Sequence, residues 1–130
     1  MSTDLDFFYA CSNGDSARVE QILSKNPELL NQTFGSGFTG LMLAATHERT
    51  ETLRLLLSKK EVDLSIQSEY GYTVITEATS FNSFFCLKLL LLHPKCSKAI
   101  VEMKNRFGET AEMIAKSKEY KMCEKLLKSF

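Results

Sequence analysis

Two histidines are the side chains best suited to acid–base chemistry in this sequence, and neither has the neighbours that catalysis needs. A histidine activates a serine or cysteine nucleophile when a third group orients its ring. His47 stands beside Glu48 and Arg49, and His93 precedes Pro94, with no recognisable nucleophile motif around either. The sequence also lacks a zinc-protease motif, a phosphate-binding loop and a paired-carboxylate signature. We therefore predict a protein that is not an enzyme and uses no cofactor, with His47 on its surface.

Four cysteines could bind a metal or form disulfides, but their spacing favours neither. They are Cys11, Cys86, Cys96 and Cys123, and no pair has the C-x-x-C spacing of a zinc or redox site. Several lie in apolar helical patterns, which predicts reduced and mostly buried thiols. The acidic N-terminus does not resemble a signal peptide. These features predict a cytoplasmic protein without a bound metal, with the nucleus as the alternative location.

The composition is that of one ordinary globular domain of 130 residues with a formal net charge of zero. A balanced charge gives no electrostatic reason to expect binding to nucleic acid or to a membrane. The charges are nevertheless unevenly distributed. Residues 1–34 carry five acidic against two basic side chains, and residues 104–130 carry seven basic against four acidic ones. This gradient could steer a partner along the molecule, or it could simply reflect two solvated polar ends.

An internal period of 34 and then 37 residues organises the chain. A threonine is followed five positions later by an alanine and preceded by a glycine two positions earlier, and an aliphatic cluster follows each alanine. The three copies of the threonine are Thr39, Thr73 and Thr110. Glycine permits a tight turn with positive φ, and threonine can cap the helix that follows. We therefore predict stacked helix–turn–helix units whose second helices bury their leucines in a shared core.

This pattern resembles the ankyrin repeat, whose consensus includes G-x-T-P-L-H-x-A-A. Residues 37–45, GFTGLMLAA, are the closest match, and residues 62–66, VDLSI, are similar to the segment that leads into the next hairpin. The resemblance implies a single all-α solenoid of four units, at about 4–34, 35–68, 69–103 and 104–130. The consensus proline and histidine are absent from units two to four. We therefore expect the Thr–His hydrogen bonding of the family to be missing and the stack to be looser.

The resemblance also implies a function, because ankyrin partners usually contact the hairpin tips and the exposed positions of the first helices. Five aromatic residues fall at these positions, where exposed aromatic clusters would mark an interaction site. The residues predicted to bind a protein partner are Phe38, His47, Tyr70, Tyr72, Phe81, Arg106, Phe107 and Lys118. In the alternative interpretation, some of the aromatic side chains pack between adjacent hairpins and stabilise the stack.

The leading functional prediction is a monomeric, non-enzymatic adaptor that binds another protein through its concave face. One alternative is a regulatory or targeting segment of a larger enzyme, although the cap-like character of both terminal units predicts a complete domain. Another alternative is self-association through Phe84 and Phe85 on the outer face. The sequence does not identify the partner.

Overall fold

The computed structural model describes residues 3–130, and its regular structure in this range consists of helices. None of these helices is both long and apolar enough to cross a membrane. A 3-10 helix over Pro27–Asn31 follows the second α-helix. The α-helices are α1 (Thr3–Asn13), α2 (Ser16–Lys25), α3 (Gly40–Thr46), α4 (Thr50–Leu57), α5 (Val74–Ser80), α6 (Phe84–Leu92), α7 (Lys98–Val101), α8 (Ala111–Ser117) and α9 (Lys121–Lys128).

The helices form two layers that follow the order of the chain. In the first layer, α1 packs against α3, α3 against α5 and α5 against α8. In the second layer, α2 packs against α4, α4 against α6 and α6 against α9. One apolar core runs between the layers, with Phe7, Met42, Leu56, Ile75 and Leu90 at its centre. Each helix pair buries its apolar face against its neighbours, so the predicted all-α solenoid is confirmed.

Threonine caps begin the first helices of units two to four, as the sequence predicted. The hydroxyl oxygens of Thr39, Thr73 and Thr110 each accept a hydrogen bond, 3.2–3.3 Å long, from the backbone N–H three residues later. Thr76 occupies the position of the family's histidine, and its hydroxyl accepts a 2.7 Å bond from the Thr73 N–H. This reciprocal capping box is internal to unit three. In unit three, the hydrogen bonds between Thr73 and Thr76 therefore stand where the family has threonine–histidine bonds.

Three hairpins, at residues 34–38, 68–72 and 105–109, connect the units and are joined in series by backbone hydrogen bonds. The Glu69 N–H donates to the Ser36 carbonyl over 2.9 Å, and the Arg106 N–H donates to the Tyr70 carbonyl over 2.9 Å. Each hairpin tip is thus fixed against the next one by the main chain.

Glycine is required where one hairpin meets the next. Gly37 and Gly71 have φ values of +93° and +80°, a region that is costly for residues with a Cβ atom. A Cβ atom at either position would lie 3.0–3.1 Å from the backbone of the following hairpin. Gly108 also has a positive φ, +77°, but a Cβ atom there would meet nothing within 4 Å. The first two glycines are therefore required by packing and conformation, and the third by conformation alone.

The turns between the two helices of each pair repeat one backbone conformation. Gly14, Glu48, Asn82 and Glu119 occupy equivalent positions and have φ values of +76°, +51°, +54° and +60°. The first of these turns contains a glycine, which adopts this conformation readily. The other three place residues with a side chain in the left-handed region, which is unfavourable for glutamate and better tolerated by asparagine.

Residues after α6 hold the end of α4 in the preceding unit. His93 is the C-cap of α6, and its Nε2 lies 2.9 Å from the Leu57 carbonyl oxygen of α4. The His93 Nδ1 accepts a 3.1 Å bond from the Lys95 N–H, so the ring carries its proton on Nε2. The Lys95 ammonium donates to the carbonyls of Lys60 and Val62. His93 and Lys95 therefore have a structural role, because they connect the end of α6 to the preceding unit.

Candidate protein-binding surface

Three residues of the predicted site lie at neighbouring hairpin tips. The Arg106 guanidinium carbon is 5.6 Å from the centroid of the Tyr70 ring, within range of a cation–π contact. Arg106 also donates from Nη1 to the Glu69 carbonyl over 3.4 Å. Tyr70 remains 48% exposed and Phe107, on the same tip as Arg106, is 69% exposed. The two tips together present an aromatic surface with a fixed positive charge beside it.

Three other predicted residues occupy one repeated position at the ends of the first helices. His47 is the C-cap of α3, Phe81 the C-cap of α5 and Lys118 the C-cap of α8. All three are exposed, and 59% of Phe81 is accessible to solvent. Because α3, α5 and α8 pack side by side, these residues form a row along the inner layer.

Phe38 and Tyr72 are equivalent residues in successive hairpins, and both are half-buried. Phe38 packs against the apolar core, and its main chain pairs with that of Phe34. The Phe34 ring in turn stacks on Phe8 with its centroid 5.0 Å away. Phe38 thus has the stacking role that was the alternative interpretation of the aromatic residues, and its contact with a partner stays a prediction.

A pocket of about 250 Å³ lies between α5 and α8 and brings together three residues of the predicted site. Tyr72, Phe81 and Lys118 line it together with Glu77 and Glu109. Tyr72 and Glu109 come from the two hairpins, whereas the other three come from the two helices and their C-caps. A pocket of this size suits a single side chain better than a drug-sized ligand. The remaining predicted residues, Phe38, His47, Tyr70, Arg106 and Phe107, do not line it.

Glu77 is the most unusual residue of this pocket. It is only 6% exposed, yet its carboxylate has no hydrogen-bond or ion-pair partner among residues 3–130. Burial raises the pKa of the Glu77 carboxyl group from an ordinary value of 4.5 to about 7. The Glu109 carboxylate differs, because its Oε1 accepts a 2.9 Å bond from Asn105 Nδ2. The pocket therefore contains one engaged carboxylate and one that has no partner.

Glu77 was not among the residues predicted from the sequence, although the repeat contains a signal that could have found it. The residue four positions after the capping threonine is Leu43 in unit two, Glu77 in unit three and Ile114 in unit four. A charged residue thus interrupts an otherwise apolar position of the first helix. Because buried charges are costly without a partner, this substitution marks a position that packing alone does not explain.

The second helices carry a separate apolar surface on the opposite layer. Phe84 is half-buried against the core and meets Phe85 edge-on at 5.4 Å, whereas Phe85 is 62% exposed. Met122 and Leu126 of α9 join Phe84 around a pocket of about 450 Å³. Self-association through this surface was one alternative drawn from the sequence, and that alternative stays a prediction.

The cysteines have the environment of structural thiols. Cys11, Cys86 and Cys123 are buried and Cys96 is half-buried, as the helical patterns predicted. Desolvation raises the pKa of Cys11 to about 12 and that of Cys86 to about 11, so neither thiol supplies a reactive thiolate at neutral pH. Within residues 3–130, no cluster of three or more histidine, cysteine, aspartate or glutamate side chains is arranged to hold a metal ion.

Units two to four each have a threonine helix cap, a hairpin glycine with positive φ and a left-handed turn between their two helices. This repetition agrees with the comparison to known protein families. A family described as Ankyrin repeats (3 copies) matches residues 7–101. The chain belongs to the ankyrin repeat family. The matched span begins within α1 and includes the rest of the first three helix pairs of this ankyrin repeat protein. The α8–α9 pair lies beyond the matched span and has the same threonine cap and positive-φ turn.

Curated relatives place the same repeats in much longer proteins. The chain is 34% identical over 87 residues to the mouse protein named Ankyrin repeat and SAM domain-containing protein 6, covering 66% of the chain and 10% of that relative. It is 38% identical over 69 residues to human NAD-capped RNA hydrolase NUDT12, covering 53% of the chain and 15% of that relative. The chain therefore spans only a small part of these relatives.

Membership in the family establishes a general role. Ankyrin repeats generally mediate protein–protein interaction, and ankyrin repeat domains are typically non-catalytic. The partial match to NUDT12 concerns a minor part of that enzyme and does not make this chain an enzyme.

Proposed function

We propose that this ankyrin repeat protein is an adaptor that binds an extended segment of another protein along its inner helix layer and hairpin tips. The observation that carries the proposal is the pocket between α5 and α8, which Tyr72, Phe81 and Lys118 line together. Large rigid side chains at such a position bury area at a small entropic cost. The protein would act as a monomer in the cytoplasm, with the nucleus as the alternative.

Two features support the inner layer over other surfaces. The tips are fixed to one another by main-chain hydrogen bonds, so the backbone that carries Tyr70 and Arg106 is held in place before a partner arrives. Preorganisation of this kind lowers the entropic cost of binding. The aromatic residues also lie beside both signs of charge, which would orient a bound segment.

The test uses a displayed library of random linear peptides, selected against the folded protein. A variant with Tyr70, Phe81 and Phe107 each changed to Ser alters three exposed residues and should keep the fold. We expect it to bind the selected peptides at least about tenfold more weakly, as expected for loss of aromatic anchor residues. Phe85→Ser is the matched control, because it removes an equally exposed aromatic residue from the other layer.

The outcomes separate the two layers directly. Undiminished peptide binding by the folded triple variant would contradict the proposal, as would a loss of binding in Phe85→Ser alone. Circular dichroism and urea unfolding establish that both variants are folded before binding is compared.

A second candidate is a regulatory or targeting segment of a larger enzyme. It is favoured by one observation, the match of part of the chain to part of a protein named as an NAD-capped RNA hydrolase. Antibodies against the ankyrin units would decide between the candidates on blots of the native cell. A single band near 14.7 kDa would rule out the second candidate, and a much larger band would favour it.

A further inference from the structure

We propose that the pocket between α5 and α8 receives one cationic side chain, an arginine or a lysine, of the bound protein segment, and that Glu77 is its counter-ion. The inference rests on the proposed function, because it assigns a chemistry to part of the same surface. It adds a specific requirement for the partner: a positive residue placed so that it enters this pocket.

The first argument is that the fold does not need Glu77. The same position holds Leu43 in unit two and Ile114 in unit four, where an aliphatic side chain packs without difficulty. In unit three, the residue is a glutamate that is 6% exposed as a whole and whose carboxylate has no hydrogen bond or ion pair within residues 3–130. Such a group destabilises a folded protein. A cation from a partner would supply the ion pair that Glu77 lacks in the isolated chain.

The second argument is the composition of the pocket. Glu77 and Glu109 provide two carboxylates against one ammonium, that of Lys118, which lies at the exposed end of α8. Lys118 does not come within 4.0 Å of the Glu77 carboxylate, so it does not neutralise that group. Glu109 Oε1 accepts a bond from Asn105, whereas neither carboxylate oxygen of Glu77 has a hydrogen-bond partner within residues 3–130. The pocket is therefore complementary to an incoming positive charge.

The third argument is the shape and character of the walls. Tyr72 and Phe81 line the pocket beside Glu77, and aromatic faces attract the cationic groups of arginine and lysine. Long basic side chains also carry an apolar stem that can lie along such rings. A volume of about 250 Å³ is in keeping with one such side chain. Burial without a partner charge raises the pKa of Glu77, and a bound cation would lower it again by favouring the ionised carboxylate.

The test compares peptides selected from the display library by the wild-type protein and by Glu77→Gln. The glutamine keeps the shape of the side chain and removes its charge. We expect the wild-type peptides to share a basic residue at one position and the Glu77→Gln peptides to lack it. For a single synthetic peptide, replacing that residue by citrulline or norleucine should weaken binding to the wild type about tenfold and leave binding to Glu77→Gln nearly unchanged.

Two control variants make the result specific. Glu51→Gln changes the net charge by the same amount at an exposed position of α4 and should retain the basic preference. Lys118→Gln removes a positive charge that would repel an incoming cation, so it should raise the affinity for the basic peptide and retain the basic preference. Loss of the preference in either control, in a folded variant, would overturn the assignment of Glu77 as counter-ion.

Failure of this inference can be distinguished from failure of the proposed function. Peptides that require Tyr70, Phe81 and Phe107 but show no basic preference would overturn the inference and leave the proposed function standing. Peptides that bind independently of all these residues would overturn both. A basic preference that persists equally in Glu77→Gln would assign the recognition to another acidic group and would also overturn the inference.

Discussion

Units two and three, residues 35–68 and 69–103, are two copies of one backbone that differ in what they place on the inner layer. Gly37 and Gly71 close onto the next hairpin in the same way. The turns at Glu48 and Asn82 share one left-handed conformation. At the position four residues after the capping threonine, however, unit two has Leu43 and unit three has Glu77.

This difference separates the residues that build the solenoid from those available for binding. The shared positions are fixed by main-chain geometry, which tolerates few residue types. The differing position faces a pocket, where a leucine would improve packing and a glutamate is unfavourable in isolation. A stability cost in one unit and not in its neighbour is the pattern expected where function constrains the residue.

The largest effect is expected from alanine at the two shared glycines. Gly71→Ala would combine the cost of a left-handed alanine with a Cβ contact of 3.0 Å to backbone atoms. We expect it to lower the free energy of unfolding by about 2–4 kcal/mol, measured by urea denaturation. Gly37→Ala should cost a similar amount, since its Cβ would meet the next hairpin at 3.1 Å.

Gly108→Ala is the matched control for this prediction. Its φ of +77° resembles that of Gly71, but the space around it is open. We expect a loss of only about 1–2 kcal/mol, because conformation is the remaining cost. Equal losses at Gly71 and Gly108 would show that the hairpin contact adds nothing, and the equivalence of units two and three would then rest on φ alone.

The next effect concerns the residue by which the two units differ. Glu77→Gln should stabilise the protein at about pH 8, by at most about 3 kcal/mol at roughly 1.4 kcal/mol per pKa unit. The sign follows from the raised pKa: as pH increases, the unfolded chain ionises Glu77 first, so the wild type loses stability between pH 4.5 and about pH 7. At about pH 4, both states of the wild type are protonated, and the two proteins should differ little.

Urea denaturation of wild type and Glu77→Gln across this pH range measures the effect. Other ionisable groups lie nearby, namely Glu109 and Lys118 in the pocket and His47 at the end of the neighbouring α3. These groups are present in both proteins, so the comparison isolates the change at Glu77 together with its coupling to them. Glu51→Gln, at an exposed site, should show no such pH-dependent gain. A constant difference between pH 4 and pH 8 would contradict the buried, unpaired state of Glu77.

The solenoid could be predicted from the sequence because its determinants are local and repeated. A glycine, a capping threonine and a small alanine recur at fixed offsets, and each acts on residues within a few positions along the chain. Thr39, Thr73 and Thr110 accordingly form the caps that their spacing predicted. The exposure of Phe81 at the end of α5 could likewise be predicted from its position in the repeat.

The pocket could not be predicted in the same way, because its walls come from two units. Glu77 is enclosed by its own helix and by residues of unit four such as Glu109, which lies 32 positions later in the chain. Burial of Phe38 has the same origin, since the core that receives it is formed by stacking. The residue types alone indicated an aromatic surface. Tertiary packing determines which aromatic side chains, such as Phe38, support the stack and which, such as Phe81, are exposed.

The smallest effect tests the inter-helix turns that units two and three share. Glu48 and Asn82 both adopt positive φ values, 51° and 54°, but asparagine tolerates this region better than glutamate. Glu48→Gly should therefore stabilise the protein by about 1 kcal/mol, and Asn82→Gly by a few tenths at most. Asn82 has an additional role, because its Oδ1 accepts a 3.4 Å hydrogen bond from the Cys123 thiol, which glycine would remove.

Thermal and urea unfolding of the two glycine variants measure which one gains more stability. Glu48→Ala serves as the control, since it removes the same carboxylate without relieving the backbone. A gain in Glu48→Ala equal to that in Glu48→Gly would assign the cost to the charge of Glu48 and not to its conformation, and the two turns would then differ electrostatically rather than in strain.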